Sequence, residues 1–345
     1  MTTPRTSKTS VLVAAAITSF MAPFMISAVN IALPSIQREF DVSTVLLSWI
    51  ATSYLLATGV LLVPSGKIAD MYGRKRVYVT GICTFTIFTV TTAFVPSIAW
   101  ILAFRVFQGV GAAMITTTGI AILTSVFPLN ERGKAIGITV AAVYTGLSAG
   151  PFVGGILTGM FGWRSVFLLN APVGVLAFLI AQTQIKDEWA EAKGERLDIV
   201  GSALYGGSLV SLMYGLSVLP SGTGLALLAL GLSGFLLFVW FELRIPFPVF
   251  QVRLFHRNRP FAFSSLAALI NYAATFAVSF LMSLYLQYIK GMPPEGAGVV
   301  LVCQPVVQAL FSPFAGRLSD RVEPAVIASL GMTLTAAGLM LLGSM

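Results

Sequence analysis

The chain has 345 residues, of which 57% are hydrophobic and only 10% charged, against roughly one-quarter charged in a soluble domain. That balance excludes a soluble enzyme and leaves a polytopic membrane protein. The formal net charge of +8 is read through the position of each charge in the loops, which explains it without nucleic acid as a partner.

At about 20 apolar residues per crossing, spans fall near residues 11–33, 44–65, 77–95, 98–126, 137–159, 165–183, 198–218, 222–241, 260–288, 297–315 and 325–345, about eleven in all. The first run is too long for a signal-peptide core and reads as a retained span. Gln184 to Arg196 is the sizeable polar segment between spans. Of the 21 Lys and Arg, only Arg38, Arg164 and Lys290 fall in loops on one side, and Arg105 lies within a span. The rest gather on the side of the N-terminus, which places that side in the cytoplasm of a multi-pass cell-membrane protein. None of the 13 Asp and Glu sits well inside a span. Cys83 and Cys303 are far apart in apolar segments and read as small packing residues, giving neither a disulfide framework nor a metal site.

The fifth span is the unusual one. It carries Gly137, Gly146, Gly150, Pro151, Gly154, Gly155 and Gly159, although each interior glycine costs roughly 1 kcal/mol against alanine. Gly146, Gly150 and Gly154 form one stripe four residues apart, over which another helix can approach backbone to backbone.

Three motifs carry a family resemblance. The loop GKIADMYGRKRV, Gly66 to Val77, resembles the signature loop GxLaDrxGrkxx of the major facilitator superfamily, with Gly66, Asp70, Gly73, Arg74 and Lys75 matching. Met71 replaces the usual arginine and leaves Asp70 to find another partner. RVFQGVGAA, with Arg105, Gln108, Gly109 and Gly111, resembles the fourth-span pattern RxxqGxgaA, and the fifth span matches the antiporter pattern Gx8GxxxGPxxGG. NIALPSI, RLDIVGSAL and PFPVFQVRLFHRNRPFA resemble the fourteen-helix drug:H+ antiporter branch, and SPFAGRLSDRVEP the second-half copy of the signature loop.

The resemblance implies an all-α major-facilitator-type fold. It has a six-helix N-terminal bundle over 1–183, a cytoplasmic linker with two additional helices over 184–259, and an incomplete C-terminal bundle over 260–345. About three C-terminal spans of the family pattern are absent from the chain. The implied function is export of lipophilic, drug-like small molecules by alternating access, driven by a proton gradient, with no cofactor and with the lipid bilayer and the substrate as partners of a monomer. A symporter or facilitator on the same fold, or a transport-inactive membrane protein, remains open.

On this reading the fifth-span glycines pack against the second bundle and close the cytoplasmic side. Arg105, a charge in the membrane, needs a partner; backbone carbonyls, water, an anionic substrate group, Glu39 and Asp41 are the choices. The usual first-span aspartate is replaced by Met25, so Asp41 or Glu39, or a residue of the absent C-terminal spans, is expected to take the proton. Met25, Asn30, Tyr54, Tyr144, Asn271, Tyr272 and Gln304 are the candidate substrate cavity. No Ser-His-acid set and no GK[ST] phosphate loop exists, so enzymatic hydrolysis and ATP-driven pumping have no residues to act with.

Overall fold

The computed structural model describes residues 6–292 and 294–343; the last two residues of the eleventh expected span lie outside them. The described residues form helices α1 (Lys8–Phe40), α2 (Thr44–Tyr72), α3 (Arg74–Thr92), α4 (Ile98–Val126), α5 (Leu129–Phe161), α6 (Arg164–Gln184), α7 (Ile199–Ser217) and α8 (Gly222–Glu242). After them come the short α9 (Arg253–Arg257), then α10 (Arg259–Leu284), α11 (Pro294–Ser319) and α12 (Pro324–Gly343), with a π-helical turn at Tyr285–Ile289. No strand occurs among the described residues, as expected where every backbone group must be satisfied within its own segment.

Helix starts are written locally. Ser43 accepts the Leu46 amide, Asp198 the Gly201 amide, Ser221 the Gly224 amide and Asn258 the Phe261 amide, each satisfying one of the first-turn donors that a helix leaves open. Nine of the long helices among the described residues are apolar enough to cross a bilayer on length and composition. Helix α3 falls short by that measure. In α3 the reason is an opening Arg74-Lys75-Arg76 and many threonines, whose hydroxyls bond back to the helix, Thr89 to the Phe85 carbonyl at 2.6 Å and Thr91 to that of Ile87 at 3.0 Å.

Helices α1 and α5, 33 residues each, are about 50 Å long at 1.5 Å per residue. They outrun a hydrocarbon layer of about 30 Å and project beyond it. The buried core lies among α1 to α6, around Met21, Phe24, Met25, Ile50, Phe85, Ile101 and Phe167. Helices α7 and α8 pair with each other and α7 leans on α2, while α5 is packed by α1 on one side and α11 on the other. Lys67, Arg74, Arg132, Arg317 and Arg321 share one end of the molecule, here called the basic end; Glu39 and Arg164 mark the opposite one.

Candidate transport site and its closing contacts

The signature loop is built on one backbone feature. Gly73 joins α2 to α3 with φ of 117°, a conformation that favours glycine, and the next residue starts α3. Asp70 finds its partner one turn on, accepting from Arg74 Nε at 2.9 Å. Arg74 also reaches Ser125 Oγ at 3.0 Å and Glu191 at 2.9 Å, so one guanidinium ties the ends of α2 and α4 to the polar linker.

That linker is the feature that sequence reasoning passed over. Glu188 takes the Lys75 amide at 2.8 Å and faces Arg76 at 3.7 Å, and Glu195 pairs with Lys67. Two backbone bonds of 2.8 Å, Arg74 amide to Trp189 carbonyl and Ala192 amide to Asp70 carbonyl, complete the strap. The available signal was charge pattern: Glu188, Glu191 and Glu195 answer Lys67, Arg74 and Arg76.

The second-half copy of the loop does something different. Asp320, just past α11, accepts the amides of Gly133 at 2.7 Å and Lys134 at 2.8 Å, which places a carboxylate in the favourable field near the start of α5. Alongside it, a Cβ on Gly137 would lie 2.6 Å from the Ser312 carbonyl oxygen and 3.2 Å from the Cα atoms of Pro313 and Gly316. Here α5 and α11 touch backbone to backbone.

Gly146, Gly150 and Gly154 do not take part in that contact, contrary to the expectation that the whole glycine seam meets the second bundle. They press on α1: a Cβ on Gly150 would lie 2.5 Å from Ser27 Cβ, one on Gly146 2.6 Å from the Phe20 carbonyl oxygen, and one on Gly154 2.9 Å from Ala28 Cα. Helical geometry is the reason. From Gly137 to Gly146 is two and a half turns at 3.6 residues per turn, so the two glycine groups occupy opposite faces of α5. Gly155 makes only an ordinary contact with Ile31 at 3.8 Å, and Pro151 lies inside the helix between the stripe residues.

Arg105 is fully buried (0% exposed). Its Nε donates to the Ile50 carbonyl at 2.9 Å, its Nη1 to Gln108 Oε1 at 2.8 Å, and its guanidinium lies 4.3 Å from the centre of the Tyr54 ring. Gln108 in turn donates to the Phe88 carbonyl at 3.1 Å and Thr92 at 3.3 Å. Nη2 has no hydrogen-bond partner. Gly109 permits the closeness of α2, since a Cβ there would lie 2.6 Å from the Tyr54 carbonyl oxygen. Of the acids considered for Arg105, Glu39 is committed elsewhere: Arg164 takes both its oxygens at 2.6 Å and Trp163 Nε1 adds a third bond at 2.7 Å.

The residues expected to line a cavity divide into groups. Met25 and Tyr54 are buried in the α1–α6 core. Asn30 and Asn271 are exposed, Gln304 half-buried. Tyr144 is half-buried on α5, and Tyr272 is exposed on α10. An open cavity of about 840 Å³ lies instead at the basic end, lined by Lys134, Phe314, Arg317, Asp320 and Arg321. No group of three His, Cys, Asp or Glu among the described residues could hold a metal ion.

The family profile described as Major Facilitator Superfamily matches residues 15–345. The chain belongs to the major facilitator superfamily. It is 32% identical over 343 residues to the riboflavin transporter RibZ of Clostridioides difficile, covering 96% of this chain and 73% of that protein. It is 32% identical over 320 residues to the multidrug resistance protein Stp of Mycobacterium tuberculosis, covering 91% and 59%. With the tetracenomycin C resistance and export protein of Streptomyces glaucescens it shares 31% over 333 residues, covering 95% and 62%. The chain thus spans less than two thirds of the latter two relatives. Among solved structures, the proton:xylose symporter XylE superposes with a TM-score of 0.62 at 14% identity, over 91% of this chain and 69% of that one; this likeness concerns the fold alone.

As a member of the superfamily the protein is a transporter, not an enzyme. The first copy of the signature loop is strapped by the linker and the second is clasped to α5. Each rests on a carboxylate at the basic end, Asp70 or Asp320.

Proposed function

We propose that the protein exports lipophilic, drug-like small molecules across the cell membrane by alternating access, with the basic end and the N-terminus in the cytoplasm and proton antiport as the drive. The observation that carries this reading is the α5–α11 clasp, in which Asp320 accepts two α5 amides and Gly137 lets the backbones meet. A transporter whose halves rock about a central site needs a defined closed state on each side. A clasp at the cytoplasmic end gives such a state to an outward-facing exporter. The drug-resistance relatives support the substrate class, and the divisions at residues 183 and 259 follow from the same reading. It includes a monomer with no cofactor and no nucleic-acid partner.

A second reading keeps the fold and changes the cargo. The riboflavin transporter among the relatives, and the unpartnered Nη2 of Arg105, favour a planar polar solute that accepts hydrogen bonds. Ethidium efflux from cells expressing the protein, with and without a protonophore, tests both. Protonophore-sensitive efflux is expected. No expression-dependent efflux refutes the drug reading, and efflux that ignores the protonophore refutes proton drive.

A further inference from the structure

The transport reading leaves one buried acidic pair unused, at the basic end of α7 and α8. Glu242, the last residue of α8, is only 3% exposed. One of its oxygens accepts the Phe250 amide at 3.0 Å; the other, Oε1, is buried with no hydrogen-bond partner. Asp198 caps α7 in the same fashion: Oδ1 accepts the Gly201 amide at 2.8 Å, while Oδ2 is buried and unpartnered. Both orphan oxygens adjoin the place that a Cβ on Gly201 would occupy, so they face each other across the first turn of α7.

The surrounding charges turn away. Arg244 lies over the Trp240 ring at 4.0 Å, Arg253 donates to the Leu243 carbonyl at 2.6 Å, and Lys67 of α2 pairs with Glu195. Tyr205 of α7 donates to the Gly59 carbonyl at 3.1 Å. Helix α9, which carries His256 and Arg257, packs against α10. Arg196 is the nearest cation in sequence, and no ion pair to it occurs among the described residues.

Two carboxylates in contact, with no cation between them, cannot both ionise cheaply, and a single proton converts their repulsion into a hydrogen bond. A metal cation is a poorer fit, because Ca²⁺ or Mg²⁺ takes six or more oxygens and Gly201 closes the space around these two. We propose that Asp198 and Glu242 form a binding site for one shared proton, which holds the basic ends of α7 and α8 together. Loss of the proton leaves two adjacent charges, and the hairpin opens at that end along with the Leu243–Val252 segment tied to it through Phe250. The site sits three residues beyond Glu195, at the point where the linker strap enters α7. It does not depend on what the protein transports.

Infrared spectroscopy of the full-length protein in lipid nanodiscs tests the site through the carbonyl band of a protonated side-chain carboxyl. In potassium buffer near neutral pH the band is expected, falling as pH rises into the alkaline range. Glu242→Gln and Asp198→Asn are each expected to remove it, because the new amide donates to the remaining carboxylate and lets it ionise. If neither variant folds, the pH titration of the wild-type band decides alone. Absence of the band in folded wild-type protein at neutral pH overturns the proposal, and so does its persistence in both folded variants. Loss of the band on replacing potassium by sodium at constant pH would assign the site to a cation, and would equally overturn it.

Discussion

Gly137→Ala and Gly150→Ala separate the two faces of α5. Both add a methyl where a neighbouring helix stands too close, 2.6 Å from the Ser312 carbonyl oxygen in one case and 2.5 Å from Ser27 Cβ in the other, and such overpacking costs about 1–3 kcal/mol. Alanine returns about 1 kcal/mol of helix propensity in each. That gain cancels from any equilibrium in which α5 stays helical throughout. If the halves rock as proposed, the contact with α11 exists only while the basic end is closed, and in Gly137→Ala the whole clash then acts on opening and closing. A bias of about 1–3 kcal/mol is a shift of about 5- to 150-fold. In Gly150→Ala the clash is with α1, inside one bundle and present in every state, so it lowers stability and leaves the equilibrium alone. Pulsed electron paramagnetic resonance between spin labels at Asn130 and Val322, in a background with Cys83 and Cys303 replaced by serine, reads the opening directly. The long-distance population should grow in Gly137→Ala and match the parent in Gly150→Ala, whose melting temperature should drop. An equal shift in both variants, or none in Gly137→Ala, refutes the two-face argument.

Arg105→Lys keeps the charge but loses the paired geometry toward Ile50 and Gln108 and the stacking on Tyr54; transport should fall at least about tenfold, equivalent to about 1.4 kcal/mol, in a dye-efflux assay with expression matched by immunoblot. The combined Glu188→Gln, Glu191→Gln and Glu195→Gln substitution should loosen the strap by less than about 1 kcal/mol per exposed pair. Faster proteolysis within residues 184–196 at low salt, converging with the parent at high salt, is the expected signature. Glu39→Gln should leave pH-gradient-driven transport unchanged, since both carboxylate oxygens are already occupied by Arg164 and Trp163, and its measurable effect should be a lower melting temperature.

Much of this architecture was legible because a membrane leaves few options. Long apolar runs have to be helices there, and the Lys and Arg pattern alone marks the basic end. Asp70 shows a limit of motif reading: Met71 in the usual arginine position leaves its partner open, and Arg74, one helical turn away, fills that place, as spacing of four residues allows. The cavity residues show another. Polarity identifies Asn30 and Tyr54 as unusual in a span, but rotation of each helix decides whether they meet open space, lipid or another helix, and that depends on crossings far away in sequence. Met25 illustrates it, at 0% exposure within the α1–α6 core.

The glycine pattern of α5 was visible in full and still misassigned, because it was treated as one surface. A stripe at intervals of four stays on one face, but the nine-residue step that opens the pattern crosses to the other. Read with that step, the motif describes a helix serving two neighbours at once. Gly146, Gly150 and Gly154 fasten it to α1, while Gly133 and Gly137 present bare backbone to α11. A helix that moves with one bundle and seals against the other needs such a division. The tight fixed contact carries the rigid body, and the sealing contact has to be close yet separable. Asp320 suits the second role, since its bonds to the Gly133 and Lys134 amides can be exchanged for water when the clasp opens, whereas interlocked side chains would have to be dragged apart.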